Sequence, residues 1–355
     1  MKKNDVINGY ILLQDFTTAG GGQCQWSFAQ KGEKQYFIKE YLSPTYPVDG
    51  SPGSLLTKER KLKHCEKFES YHKKLQSVFS GKCGEGSNLI VTRDFFRYKT
   101  KYYKTTDKVD VSSMTISDIS KLPLPEIMII LKTITHSLQM LHHENIVHGD
   151  LKPDNILIKE TKRSKYTAKL IDFDNCYFSG NPFEVFDEIV GDMTYYSPEL
   201  ALFFTRDESI KTDMLQTKSD IFSLGIIFYQ YLTGILPFIS KKNKFPYAAV
   251  LNNDELVFPT GIPENIKTLL KKMLVKDFKK RPNITEVFSE LRAIRLDSDD
   301  TKSRDSTPKI RAKNFEELLG TVKESKIGEV KESVKPTLRG KNLDKLLNVS
   351  KKDAK

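Results

Sequence analysis

Three polar residues stand out by type and spacing. Asp150 and Asn155 lie five positions apart in HGDLKPDNILI, and Asp172 follows the apolar run of KLIDFDN. The two segments read as strands of one β-hairpin, 155–159 and 167–172, joined by the polar turn ETKRSKY. A hairpin sets its two ends side by side, so the three side chains can converge on one point. Oxygen donors gathered in this way suit a hard cation such as Mg²⁺, which keeps waters and phosphate oxygens in its shell. Moving a phosphoryl group asks mainly for positioning and charge neutralisation. One carboxylate and one amide should hold metal, and a separate carboxylate should take a hydroxyl proton. Asp172, Asn155 and Asp150 supply those groups. Turn-forming Asp and Asn account for each residue singly but not for the set.

The elements that must position these residues fall in two blocks. From Tyr10 to about Asp110 the chain alternates like strands, as in Tyr36-Phe37-Ile38-Lys39, 89–96 and 102–109, and one helix is predicted over 56–79. From Leu124 onward, apolar residues recur at helical spacing over 125–143, 219–232 and 266–274. Residues 296–355 hold a single aromatic, Phe315, and many charges, which is the composition of a tail. Two short amphipathic stretches there, 314–322 and 342–349, are candidate docking helices.

His148-Gly149-Asp150-Leu151-Lys152-Pro153-Asp154-Asn155 resembles the catalytic loop of the eukaryotic-type (Hanks-type) Ser/Thr protein kinases, and Asp172-Phe173-Asp174 resembles their metal-binding motif. The likeness runs over about residues 10–295 and implies an α+β, bilobal fold. A small β-rich N-lobe (1–109) with one main helix would precede a larger helical C-lobe (110–295) and the tail. It implies ATP and Mg²⁺ as cofactors, with Asp150 as catalytic base, Asn155 and Asp172 as Mg²⁺ ligands and Lys152 on the transferring phosphoryl. Lys39 would hold the α- and β-phosphates. Its partner should be a helix carboxylate, Glu66 or Glu69. At about 100° per residue, Glu69 shares an inward sector with Cys65, His72, Gln76 and Phe79, and Glu66 lies roughly 110° away, so Glu69 is the expected partner.

The same resemblance makes Gly20, Gly21 and Gly22, in TTAGGGQ, the loop over the phosphates, in a style similar to bacterial members. It places Thr106 beside the adenine, with Asp107 and Val109 offering backbone groups to the base. Phe37 replaces the small residue that normally faces adenine. Gly149 replaces the arginine that normally receives an activation-segment phosphate, so activity is expected not to depend on a phosphate at Ser179, Thr194 or a nearby tyrosine.

Gly149 and Asp174 also occur in small-molecule kinases of the aminoglycoside or choline type. Val190–Glu199, ending Tyr196-Ser197-Pro198-Glu199, resembles the close of a protein-kinase activation segment. Ser219-Asp220-Ile221-Phe222-Ser223-Leu224-Gly225 resembles the start of that family's central helix, and Arg281 matches the arginine that pairs with Glu199. This set separates the two kinase types. Lys152 points to Ser/Thr substrates, with Asp192 at the position usually held by Thr. A pseudokinase scaffold is the alternative from another class, and a tail that recruits an acidic partner is a third.

Composition narrows the rest. The net charge of +11 comes from lysines spread along the chain rather than gathered on one stretch, which argues against a nucleic-acid partner. Cys24, Cys65, Cys83 and Cys176 have neither metal-site nor disulfide-framework spacing. No run reaches the length of about 20 apolar residues that a membrane span needs. The N-terminus lacks the pattern of a signal peptide, and a cytoplasmic protein acting on a protein substrate is expected.

Overall fold

The computed structural model describes residues 1–18, 24–48, 50, 54–79, 88–109, 113–161, 165–182, 192–237 and 243–295. The glycine loop of 20–22, Cys83 and the tail from 296 onward, with both of its amphipathic stretches, lie outside the described residues.

The first block folds as an antiparallel sheet crossed by one helix. Strands β1 (Val6–Ile7), β2 (Tyr10–Leu12), β3 (Cys24–Lys31), β4 (Lys34–Tyr41), β5 (Thr92–Tyr98) and β6 (Lys101–Asp107) pair in the order β1-β2-β3-β4-β6-β5. Gly32, at φ 61°, turns β3 directly into β4, and that register sets Trp26 opposite Lys39 and Phe28 opposite Phe37. Between β4 and β6, Lys39 faces Lys104 and Phe37 faces Thr106. Directly opposed residues share a face, so Trp26, Lys39 and Lys104 form one row across the sheet. Helix α1 (Leu55–Phe79) packs its Cys65, Phe68, Leu75 and Phe79 inward.

The second block is helical around a small hairpin. In chain order it contains α2 (Ile116–Ser120), α3 (Leu124–His142), β7 (Ile146–Val147), β8 (Ile156–Thr161), β9 (Lys165–Leu170), β10 (Tyr177–Phe178), α4 (Pro198–Phe204), α5 (Lys218–Thr233), α6 (Pro246–Leu251), α7 (Glu264–Met273) and α8 (Ile284–Ala293). Helix α5 is buried at every position from Ser219 to Leu232, as an all-round apolar helix must be when it is the centre of a lobe. Its Ile221, Leu224 and Phe228 join Ile127, Leu131, Ile134 and Leu138 of α3 and Val287 and Leu291 of α8 in one core. Truncating any of these to Ala removes about 2–5 kcal/mol. Asn283 and Glu286 close α8 with reciprocal capping bonds. The sheet lobe with one long helix, followed by the helical lobe, is the α+β bilobal architecture expected from the sequence. Both hairpin strands run two residues further into the turn than predicted, and Leu89 forms no part of β5: it bridges to Leu170 of β9.

Candidate active site

The segment from His148 to Asn155 hangs between β7 and β8. Strand β7 is fixed by pairing with β10, Val147 against Tyr177. Beneath it, the buried carboxylate of Asp220 on α5 accepts the His148 N–H (2.7 Å) and the Gly149 N–H (3.2 Å), and lies 3.0 Å from His142 Nε2. Two backbone donors on one carboxylate set the direction of the loop. The turn also needs glycine. Gly149 sits at φ 76°, and a Cβ there would stand 2.3 Å from the backbone oxygen of Asn175.

Above this brace, the loop brings three groups together. Asn155 Nδ2 donates to the Asp150 backbone oxygen (2.7 Å) and to Asp150 Oδ2 (3.2 Å), and Lys152 Nζ donates to the same Oδ2 (2.8 Å). Asp150 therefore holds one carboxylate oxygen between an amide and an ammonium. The Ile171 N–H donates to the Asn155 carbonyl (3.0 Å), which draws the strand end carrying Asp172 beside Asn155. Asp172 takes a left-handed conformation (φ 61°, ψ 68°) that turns the chain sharply after β9.

A second group gathers under the sheet. Lys39 Nζ donates to Asp172 Oδ1 (2.7 Å) and to Asp174 Oδ2 (2.6 Å). Lys104 Nζ bonds Asp174 Oδ1, and the Tyr41 hydroxyl donates to that oxygen at 3.2 Å. Burial alone would raise the Asp172 carboxyl, but Lys39 and then Lys104 outweigh it and hold the group at about 2. Burial, followed by the Lys39 charge, lowers Lys104 to about 8 against the pull of Asp172. Lys104 escaped the reading of the sequence. Its signal was a lysine set among Tyr102, Tyr103, Thr105 and Thr106; that it faces Lys39 follows only from the strand register.

The expected Lys39–Glu69 pair is not formed. Glu69 accepts from the Tyr102 hydroxyl (2.9 Å) and from Lys73 (3.3 Å), with Arg97 at 3.8 Å, and Glu66 is exposed. The rings of Tyr41, Phe68, His72 and Phe95 fill the space between α1 and β4, at centroid spacings of 4.3–6.3 Å. That aromatic layer keeps the helix carboxylates away from Lys39. Burial, then Lys104, lowers His72 to about 3, so its ring is neutral.

On the strand facing the cleft, Thr106 lies on the same face as Lys39, whereas Asp107 spends its carboxylate on Arg93 (Nε, 2.9 Å). The Lys108 N–H is bonded to the Gln35 oxygen (3.3 Å), and Val109 follows the end of β6. Trp26, Phe28 and Phe37 pack edge-to-face or tilted at centroid spacings of 5.3–6.0 Å, with Lys39 Nζ 5.9 Å from the Phe37 ring.

Farther from the chemistry, Arg281 Nη1 and Nη2 clamp Glu199 at 2.7 and 2.9 Å, as the sequence anticipated. Ser197 caps α4, with Pro198 in its first turn, which directs Glu199 inward. Asp192, in contrast, does not meet Lys152. Its carboxylate accepts the Thr194 N–H (2.9 Å), and Lys152 stays on Asp150.

The donors near the hairpin end, two carboxylates and an amide oxygen, have the hard-oxygen chemistry that fits Mg²⁺. Asp172 and Asn155 would hold it. No helix among the described residues is long and apolar enough to cross a membrane.

Residues 58–291 match the protein kinase domain. The calcium and calcium/calmodulin-dependent serine/threonine-protein kinase of Pisum sativum is 31% identical over 163 residues, 44% of this chain and 28% of that protein. Calcium-dependent protein kinase 2 of Arabidopsis thaliana is 33% identical over 161 residues, 44% of this chain and 23% of the relative. The ovarian-specific serine/threonine-protein kinase Lok of Drosophila melanogaster is 29% identical over 186 residues, 51% of this chain and 36% of the relative. The matched segment thus covers well under two thirds of the length of these three relatives. With the domain match added to the braced Asp150 loop and the Glu199–Arg281 clamp, the chain belongs to the protein kinase family.

Proposed function

We propose that this chain transfers the γ-phosphoryl of Mg-ATP to Ser/Thr hydroxyls of protein substrates. The observation that carries the reading is the convergence of Lys152 and Asn155 on Asp150 Oδ2, beside Asp172. In this reading Asp150 accepts the hydroxyl proton. Lys152 then neutralises charge on the phosphoryl in flight, and Lys39 orients the α- and β-phosphates. Bound Mg²⁺ would neutralise phosphate charge from Asn155 and Asp172. Gly20, Gly21 and Gly22 would cover the phosphates, and Thr106, Asp107 and Val109 would border the base. The likeness of that glycine loop to bacterial members rests on the sequence alone.

Gly149 supports independence from activation-segment phosphorylation, because no guanidinium is present there to receive the phosphate. We assign residues 1–109 and 110–295 to the two lobes and 296–355 to a tail that docks a partner, with the cytoplasm as the site of action.

The test compares autophosphorylation with Mg-ATP for the intact chain, Asp150→Asn and Asp172→Ala. Transfer should fall by at least a hundredfold in both variants, and equal signal in all three would rule out catalysis. Phosphatase treatment should leave the intact chain active. A scaffold without chemistry is the second reading, and the tilted contact of the Trp26 and Phe37 rings (5.3 Å) is what favours it. Nucleotide binding with dissociation constants beyond the millimolar range would support that reading.

A further inference from the structure

Lys39 must be held in place if it is to present its ammonium to phosphates, and the helix does not hold it. All the carboxylate contact Lys39 makes among the described residues comes from the turn after β9, from Asp172 and Asp174. These two carboxylates are not equivalent. On the proposed function Asp172 is committed to metal, which leaves Asp174 as the carboxylate free of that duty. Asp174 is also the better buried of the two, its side chain 17% exposed against 35% for Asp172. Both of its oxygens are used: Oδ2 by Lys39, and Oδ1 by Tyr41 and Lys104.

A second buried carboxylate beside Asp172 needs a second buried cation, since uncompensated charge at this depth is strongly destabilising. Lys104 is that cation. It projects from the strand position opposite Lys39, its side chain is 5% exposed, and its ammonium meets Asp174. Two lysines from adjacent strands and two aspartates from one turn therefore form a charge-balanced chain of contacts, Asp172 to Lys39 to Asp174 to Lys104. The aromatic layer of Phe68, His72 and Phe95 occupies the space through which a helix carboxylate would have to reach.

We propose that Asp174 is the positioning residue for Lys39, taking over the duty that the family gives to a helix glutamate, and that Lys104 is the counter-charge that lets it lie buried there. The proposal rests on Lys39 being the phosphate-binding lysine of the proposed function, and its test separates the two.

The experiment measures how fast acetic anhydride modifies Lys39 in the folded full chain, by mass spectrometry, alongside KM for ATP. Asp174→Asn should speed Lys39 modification at least fivefold and raise KM for ATP at least tenfold. Glu69→Gln should change both less than twofold, and Asp174→Glu should recover most of the loss. Should Asp174→Asn fail to fold, Asp174→Asn with Lys104→Met restores the charge balance and should still show fast Lys39 modification. Unchanged Lys39 modification in both Asn variants overturns the proposal. So does KM for ATP within twofold of the intact chain, or an equal effect from Glu69→Gln. Fast modification in the Asn variants of a chain that transfers no phosphate would instead sink the kinase reading and sustain Asp174 as the anchor.

Discussion

Arg281 holds Glu199 across 82 residues of sequence through two parallel hydrogen bonds, and both side chains are buried. The remaining guanidinium donors reach the backbone oxygens of Lys218 (3.0 Å), Val275 (3.0 Å) and Lys276 (3.1 Å), and Ser219 donates to Glu199 at 2.8 Å. The pair ties the end of the activation segment to the start of α5 and to the turn before α8. Arg281→Met should lower the unfolding free energy by about 3–5 kcal/mol, because Glu199 is left buried and unpaired. The double change with Glu199→Met should cost less than the two single changes added, as measured by urea unfolding.

Asp220 is the brace of the catalytic loop, and its two backbone contacts predict a split between folding and turnover. Asp220→Ala leaves the His148 and Gly149 N–H groups without their acceptor, at a cost of about 2–4 kcal/mol by thermal or urea unfolding. Phosphoryl transfer should fall further than the lost stability accounts for, because Asp150 loses its fixed direction. Equal turnover in a folded Asp220→Ala protein would show that the loop holds its shape without the brace.

Gly149 predicts a cost at a position with no side chain. Gly149→Ala must hold φ near 76° and place a methyl 2.3 Å from the Asn175 oxygen. Left-handed backbone alone costs about 1–2 kcal/mol in an L-residue, and the close approach adds to it. Urea unfolding should show a total loss above that figure. Gly149→Arg should lose stability similarly and should not acquire dependence on phosphorylation, as checked by phosphatase treatment before assay.

His72 makes acid stability a readout of the aromatic layer. Its pKa is about 6.5 unfolded and about 3 folded, burial being the first cause. Between those values the unfolded chain binds the additional proton. The contribution is therefore complete above about pH 6.5 and is lost as pH falls toward 3. The slope from this residue is at most about 1.4 kcal/mol per pH unit. Urea unfolding at pH 7, 6 and 5 should give a shallower decline for His72→Gln than for the intact chain.

Much of this arrangement was legible in the sequence because its determinants are local. Asp150, Lys152 and Asn155 sit within one loop, and a hairpin brings Asp172 to them whatever the rest of the chain does. Glu199, Asp220 and Arg281 were recognisable through short motifs around each. The partner of Lys39 was not, because it depends on helix phase and on what fills the gap. Helical spacing placed Glu69 on the inward sector, but Phe68 and His72 took the volume facing β4, and Glu69 turned to Tyr102. Lys104 required the register between β4 and β6, which no local pattern encodes. Asp192 caps the next turn instead of meeting Lys152, because a two-residue bond is easier to satisfy than a reach across the loop.

The close approach at Gly149 also bears on descent. A relative that uses an arginine latch cannot be reached from this chain by one replacement, because the Asn175 carbonyl must move before any side chain fits. The two segments that would have to adjust lie 26 residues apart in the sequence. Any change of residue at 149 is thereby a rearrangement of two loop segments before it is a change of charge.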